Sequence, residues 1–358
     1  MSPREMSPKE RVLTAFARQV PDRVPINYLS NPGIDGRLKK HFGLAADDHE
    51  GLREALGVDF RGVHAPYVGP KLHEDVPDRH VDLWGIHRRW IEHESGGYWD
   101  YCDFPLREAT VEEVAAWPMP DPDDFDYSGI AEACQRHARY AINGSGGFGD
   151  IINGNGMLRS MEQTLIDLVT GDPAGMLLAD RRMEIQIGRA ERILEAAQGG
   201  VDFIWMGEDL GTQIGPLISM KTFRQQIRPR YERYCALAQA YDLPIMMHCC
   251  GSSSWAFDDF VEMGITVVDT LQPEAADMAP AYLKERYGDR LAFHGCISTA
   301  GPVADGTVEE TIAYCRDILE TMMPGGGYCY APTHQLQDNS PTENVLAMYE
   351  VAHTYGRY

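Results

Sequence analysis

The chain has 358 residues, is 44% hydrophobic, and has no apolar run near the ~18 to 20 residues of a membrane span, so a large buried core is expected and a bilayer is not. Its net charge of −22, with no lysine- or arginine-rich tract, excludes nucleic-acid backbones as natural partners. The N-terminal MSPREMSPKE has no apolar run behind its charges, so no signal peptide is expected and the reading is cytoplasmic. The eight cysteines show no framework of a small secreted fold and are expected as free thiols.

A helix is predicted to start at Ser7-Pro8, with Glu10 in its first turn and Val12, Leu13 and Phe16 on one face. Val24 to Tyr28 reads as a short strand. Residues 80–105, rich in aromatic and β-branched side chains and interrupted by Gly96-Gly97, read as a hairpin that decorates the fold. Pro and Asp in WPMPDPDDFDY mark a surface connection.

From residue 138 the rhythm is strand, loop, helix. Strands are expected at 140–143, 201–206, 244–247, 265–269, 291–294 and 328–330. Helices are expected over 157–198 with a break near Gly171-Asp172-Pro173, then over 223–241, 255–263, 279–287, 308–323 and 343–355. This alternation implies a parallel sheet, and no GxGxxG opens a nucleotide-binding half. The expectation is one α/β domain, residues 1–358, built as a (β/α)8 TIM barrel with an N-terminal extension and an inserted β-hairpin. Residues 1–135 would supply the elaborations and the first barrel elements.

In such a fold the active site lies past the C-terminal ends of the strands. Those positions hold Glu208-Asp209, His248-Cys249-Cys250-Gly251, Asp269, His294-Gly295-Cys296 and Thr333-His334. Asp269 reads either as a cap or backbone brace or as a site carboxylate. His294 reads either as a core histidine or as a substrate-binding group. His248-x-Cys250 pairs imidazole with thiolate, two ligand types that suit Zn²⁺, and the Gly-Ser turn after it lets both face one ion. A catalytic zinc takes three protein ligands, and the candidates for the third are His334, Cys329, Cys296 and Glu208. His334 is preferred because it lies just beyond a strand end.

From about residue 155 onward the chain resembles the uroporphyrinogen decarboxylase-like superfamily. The passages that carry this are GEDLGTQIGPLIS, FRQQIRPRYERYC, MMHCCGS, YLKERYGDRLAFHGCIST and GGGYCYAPTHQLQDNSPTENVLAMYE. The resemblance implies a (β/α)8 barrel. The decarboxylase branch carries an arginine-rich MRQAGR segment, but residues 23–30 here read RVPINYLS, so uroporphyrinogen decarboxylation is not expected. The other branch holds zinc-dependent methyltransferases that work with corrinoid proteins and carry His-x-Cys plus a distant Cys. His248 and Cys250 match the first two positions. Counting back from Pro341-Thr342-Glu343-Asn344 places His334 at the third, with Cys329 as the alternative.

The resemblance implies a methyltransferase moving a methyl group between a small substrate and the corrinoid of a partner protein. Zinc would be bound by His248, Cys250 and His334, with Glu208 as a fourth ligand or general acid. Asp209 and Gln213 would position the substrate and Tyr330 would line the pocket. The alternative within the superfamily is a decarboxylase, lyase or hydrolase without corrinoid, using Glu208 or Asp209 as acid or base. Dimerisation occurs in the decarboxylase branch, which leaves a homodimer open.

Overall fold

The computed structural model describes residues 5–93 and 96–358. Its strands are β1 Phe60–Gly62, β2 His80–Val81, β3 His87–His93, β4 Gly96–Cys102, β5 Ala141–Asn143, β6 Ile204–Gly207, β7 Ile245–Cys249, β8 Val267–Thr270, β9 Ala292–Ile297 and β10 Tyr328–Pro332. β6 to β10 form a parallel sheet in chain order, and β1 pairs with β5, also in parallel. The fold is therefore α/β. β7, β8, β9 and β10 are almost wholly buried, as expected of parallel strands covered on both faces.

Isolated bridges with a few backbone bonds each join these two sheets. Asn143 bridges Phe203 just before β6, and the Gly144 N–H donates to the Phe203 carbonyl at 3.2 Å. At the other edge Ile26 bridges Tyr330 of β10, where Asn27 N–H donates to Tyr330 at 3.0 Å and Tyr330 N–H to Pro25 at 2.8 Å. Asp59 N–H then donates to the Ile26 carbonyl at 2.9 Å, one residue before β1. Backbone hydrogen bonds thus run from segment 24–28 through β10, β9, β8, β7, β6, β5 and β1, and return to segment 24–28. The strand at 60–62 is the one that periodicity missed. It is three residues long, and its central Arg61 hides the apolar pattern.

The first helix, Pro8–Phe16, begins at Ser7 as expected. Ser7 Oγ accepts from Glu10 N–H at 3.2 Å, and Ser7 N–H donates to the Glu10 carboxylate at 2.8 Å, a reciprocal cap of the kind that contributes about 1 kcal/mol. Its buried Arg11 donates to Asp59 at 2.6 Å, and Arg23 does so at 2.8 Å. Asp59, fully buried, also accepts from Ile26 N–H at 2.8 Å, so one carboxylate ties the helix, segment 24–28 and β1 together.

The helical stretch expected over 157–198 divides into Ile152–Arg159, Met161–Thr170 and Pro173–Ala197. Ser160 at φ 69° and Gly171 at φ 69° make the two breaks, and Asp172 caps the last helix. The stretch expected over 223–241 opens with a π-helical turn, Phe223–Ile227, before Arg228–Ala240. Pro229 has no N–H, so the regular i→i−4 ladder cannot run through it.

β2, β3 and β4 form a separate antiparallel sheet, with Trp90 directly opposite Trp99. Gly96 and Gly97 pair with His93 and Glu92 at the start of β4 rather than forming the turn; residues 94 and 95 lie outside the described residues. The hairpin region has its own small core of Ile86, Leu106, Val114, Leu158, Ala174 and Leu178. The main core draws side chains from Val12 to Ala352. Among the described residues no helix is long and apolar enough to cross a membrane.

Candidate metal centre

The site is built where β6, β7 and β8 end. β7 delivers Cys249 and His248 to opposite sides by its two-residue repeat. Cys249 is fully buried, and burial pushes its thiol far above the usual range. Gly251 then turns the chain at φ 70°, and Cys250 comes back beside His248, with Sγ to Nε2 at 3.3 Å. Only glycine fits there, since a Cβ would lie 2.3 Å from the Gly211 carbonyl oxygen.

Asp209, two residues past the end of β6, completes the cluster. One carboxylate oxygen accepts from Cys250 N–H at 3.2 Å and lies 3.8 Å from His248 Nε2; the other accepts from Asn153 at 2.7 Å. One oxygen, nitrogen or sulfur from each of Asp209, His248 and Cys250 lies within 4.8 Å of the other two. A tetrahedral zinc with bonds of ~2.0 to 2.3 Å separates neighbouring ligand atoms by roughly 3.3 to 3.8 Å. The S–N and N–O separations of 3.3 and 3.8 Å meet that requirement. The donor set is one thiol, one imidazole and one carboxylate, all zinc ligand types.

The imidazole is held from behind. His248 Nδ1 lies 2.8 Å from Asp269 Oδ2 and 2.9 Å from Thr270 Oγ1. A carboxylate oxygen that close requires a proton on Nδ1, which turns the Nε2 edge of the ring to the cluster. This is the carboxylate–histidine arrangement that orients metal ligands. Thr270 does this at φ 86°, a costly backbone for a β-branched residue. Phe148 stacks on the other face of the ring, with centroids 5.4 Å apart and planes at 17°.

Electrostatics follow the same contacts. Burial works against charge on His248, but Asp269 and Cys250 win and raise its pKa well above the ordinary value. Burial also works against the Asp269 carboxylate, yet His294 and His248 hold it far below the usual range. Burial raises the Cys250 thiol, and His248 offsets part of that.

The other sequence expectations fall elsewhere. His334 is exposed on the loop after β10. Desolvation, followed by the charge of His248, lowers its pKa, but it does not join the cluster. Cys329 and Cys296 are fully buried in β10 and β9 and do not join it either. Glu208 is almost wholly buried and accepts from Ile151 N–H at 2.8 Å, Ile152 N–H at 3.1 Å, Tyr231 Oη at 2.7 Å and Asp209 N–H at 3.2 Å. It anchors the start of helix 152–159 instead of facing the centre as acid or ligand. Burial, reinforced by Asp150, pushes its pKa up to about 8.

His294 is fully buried with both ring nitrogens engaged, so it has no free edge for substrate. Tyr330 is also fully buried and donates to the Met348 carbonyl at 2.9 Å, so it lines no pocket. In both cases strand-end position was legible, but side-chain direction was not. Gln213 is exposed on the loop after β6, and its carbonyl accepts from Ala276 N–H at 2.9 Å. Phe148 and Asn153 were missed altogether. Both lie around the glycine-rich loop after β5, residues 144–150, Phe148 within it and Asn153 in the helix that follows.

Residues 178–355 match the family described as uroporphyrinogen decarboxylase. Among solved structures the chain is similar to a methyltransferase from Methanosarcina mazei, with a TM-score of 0.67 and 19% identity, covering 98% of this chain and 99% of that one. The likeness extends the shared fold through the N-terminal half, which the family match does not reach. No curated protein matches the sequence.

Proposed function

We propose, from the premise that the chain belongs through residues 178–355 to the uroporphyrinogen decarboxylase-like superfamily, that it is a zinc-dependent methyltransferase working with a corrinoid protein. The cycle of hydrogen bonds through eight segments is read with it as a (β/α)8 barrel, with the cluster at its C-terminal mouth. The observation that carries the reading is the set Asp209, His248 and Cys250, with His248 braced by Asp269. The name of the Methanosarcina mazei neighbour agrees with it.

In this reading His248, Cys250 and Asp209 would hold the metal, and the exposed His334 feels the charges of His248 and Asp209 without joining them. Bound there, zinc supplies Lewis acidity toward the heteroatom that carries or receives the methyl group. Asp269 keeps the proton on His248 Nδ1. Phe148 covers one face of the imidazole and limits water on that side. Asn153 fixes the Asp209 carboxylate. The substrate is a small methylated or methyl-accepting compound. The loop after β6 carries Ile214, 91% exposed, an apolar side chain on which a corrinoid protein would dock.

Metal analysis tests the proposal. The purified protein should carry one zinc per chain, and Cys250→Ala should lose it together with activity, a drop of at least 100-fold. A methylated corrinoid protein should change its cobalt absorption when the wild-type protein and the acceptor are added. A protein without stoichiometric zinc, or a fully active Cys250→Ala variant, would sink the methyl-transfer reading and leave the corrinoid-free lyase or hydrolase chemistry.

A further inference from the structure

Behind the cluster lies a second histidine that the reaction scheme does not use. Asp269 holds two imidazoles, His248 Nδ1 on Oδ2 at 2.8 Å and His294 Nδ1 on Oδ1 at 2.5 Å. His294 Nε2 in turn faces Asn27 Nδ2 at 3.0 Å. The direction of this line is fixed at its far end. Asn27 Oδ1 accepts from Tyr28 N–H at 2.9 Å, so the amide must present its NH₂ group to His294. Asn27 is itself pinned, because its N–H donates to Tyr330 at 3.0 Å and its carbonyl accepts from the Tyr349 hydroxyl at 3.1 Å.

An NH₂ donor against Nε2 makes that nitrogen an acceptor. The single proton of neutral His294 then sits on Nδ1 and is donated to Asp269. The other carboxylate oxygen is left to take the Nδ1 proton of His248. We infer that Asn27 and His294 are positioning residues that act through Asp269: they fix its carboxylate so that Oδ2 stays on His248 Nδ1 and the Nε2 edge of that ring stays turned toward Cys250 and Asp209. Around His294 the packing is aromatic, with Phe60 at 5.4 Å and Trp205 at 5.9 Å, and at the other end of the line Thr270 Oγ1 shares His248 Nδ1 at 2.9 Å.

The inference rests on the reading of Asp209, His248 and Cys250 as a metal centre, but its first test needs no metal. In the metal-free wild-type protein, nitrogen-15 NMR of the histidine rings should show both His248 and His294 carrying Nδ1–H, with Nε2 unprotonated on His294. An Nε2–H tautomer at His294 would overturn the inference, whatever the metal result.

Asn27→Asp provides the second test. It sets an acceptor against Nε2, so that His294 takes a second proton and draws on Asp269 as a cation, without removing any group from the cluster. Affinity for Co²⁺, followed by its thiolate charge-transfer band under chelator competition, should fall roughly 10- to 100-fold. The His248 ring signals should move as well. Tyr330→Phe, which loses a neighbouring hydroxyl bond to Met348, should change neither readout and serves as the control for packing. Unchanged Co²⁺ affinity in a folded Asn27→Asp protein would overturn the inference. If Asn27→Asp does not fold, the wild-type tautomers decide it. A protein that shows the expected tautomers but binds no zinc or cobalt would refute the metal reading and leave the hydrogen-bonded line intact.

Discussion

At the scale of single residues, Glu208 carries a measurable signature. Its carboxyl is buried with a pKa of about 8, against an ordinary value of 4.5. The folded state therefore keeps a proton that the unfolded chain releases. The associated stability is full below pH 4.5 and is lost as pH rises through 8. Unfolding free energy from urea titrations should fall between these values by on the order of 3 to 5 kcal/mol on this account. Glu208→Gln should flatten that slope. It should also be less stable at pH 5 by about 1 to 3 kcal/mol, because an amide nitrogen then meets N–H and O–H donors. A slope equal in both proteins would show that Glu208 does not titrate there. His248 and Cys250 were legible in the sequence because a strand end followed by a glycine turn brings i and i+2 together. Asp269 was legible in place but not in role. Asn27 was not legible at all, since nothing in Val24 to Tyr28 signals which residue of β9 it will meet.

At the scale of elements, the centre depends on how two loops cross. The loop after β7 passes the loop after β6 with Gly251 against the Gly211 carbonyl, and Ser252 N–H donates to Thr212 at 2.8 Å. Gly251→Ala forces both a positive φ on alanine and a 2.3 Å contact with backbone. The expected cost is about 1 to 3 kcal/mol in thermal or urea unfolding. Metal binding should weaken more than stability alone explains, because Cys250 and Asp209 move apart. A variant that binds metal as the wild type does would show that the crossing is not needed. Periodicity located most of the long elements, since helices and buried strands of the C-terminal half repeat regularly. It failed at β1, where three residues hold a register through partners far away in the chain. The hairpin over 80–105 was legible from its aromatic and β-branched residues, and Gly96 and Gly97 open its second strand, where Trp99 stands opposite Trp90.

At the scale of the whole molecule, two unequal cores imply unequal resistance to opening. The parallel sheet is covered on both faces, whereas β3 and β4 present half-exposed Trp90 and Trp99, and Ile86 just before β3 enters a small separate cluster. Native-state hydrogen exchange should protect β7, β8 and β9 amides up to the global unfolding free energy, and those of β3 and β4 should exchange by a smaller opening. Equal protection in both would show that the hairpin is integral to the main cooperative unit.

The line from Asn27 to His294 also has a consequence for the order of events during synthesis. Its two ends are 267 residues apart, and Asn27 is held in place by Tyr330 and Tyr349. A nascent chain that has emerged only as far as residue 270 already carries Asp209, His248, Cys250 and Asp269 but has neither His294 nor the two tyrosines. Such a chain has Asp209, His248, Cys250 and Asp269 without the groups that hold the Asp269 carboxylate in place. That support waits for Tyr330 and for Tyr349 in helix 342–355, so the fold brings the brace of His248 together only after these segments have been made.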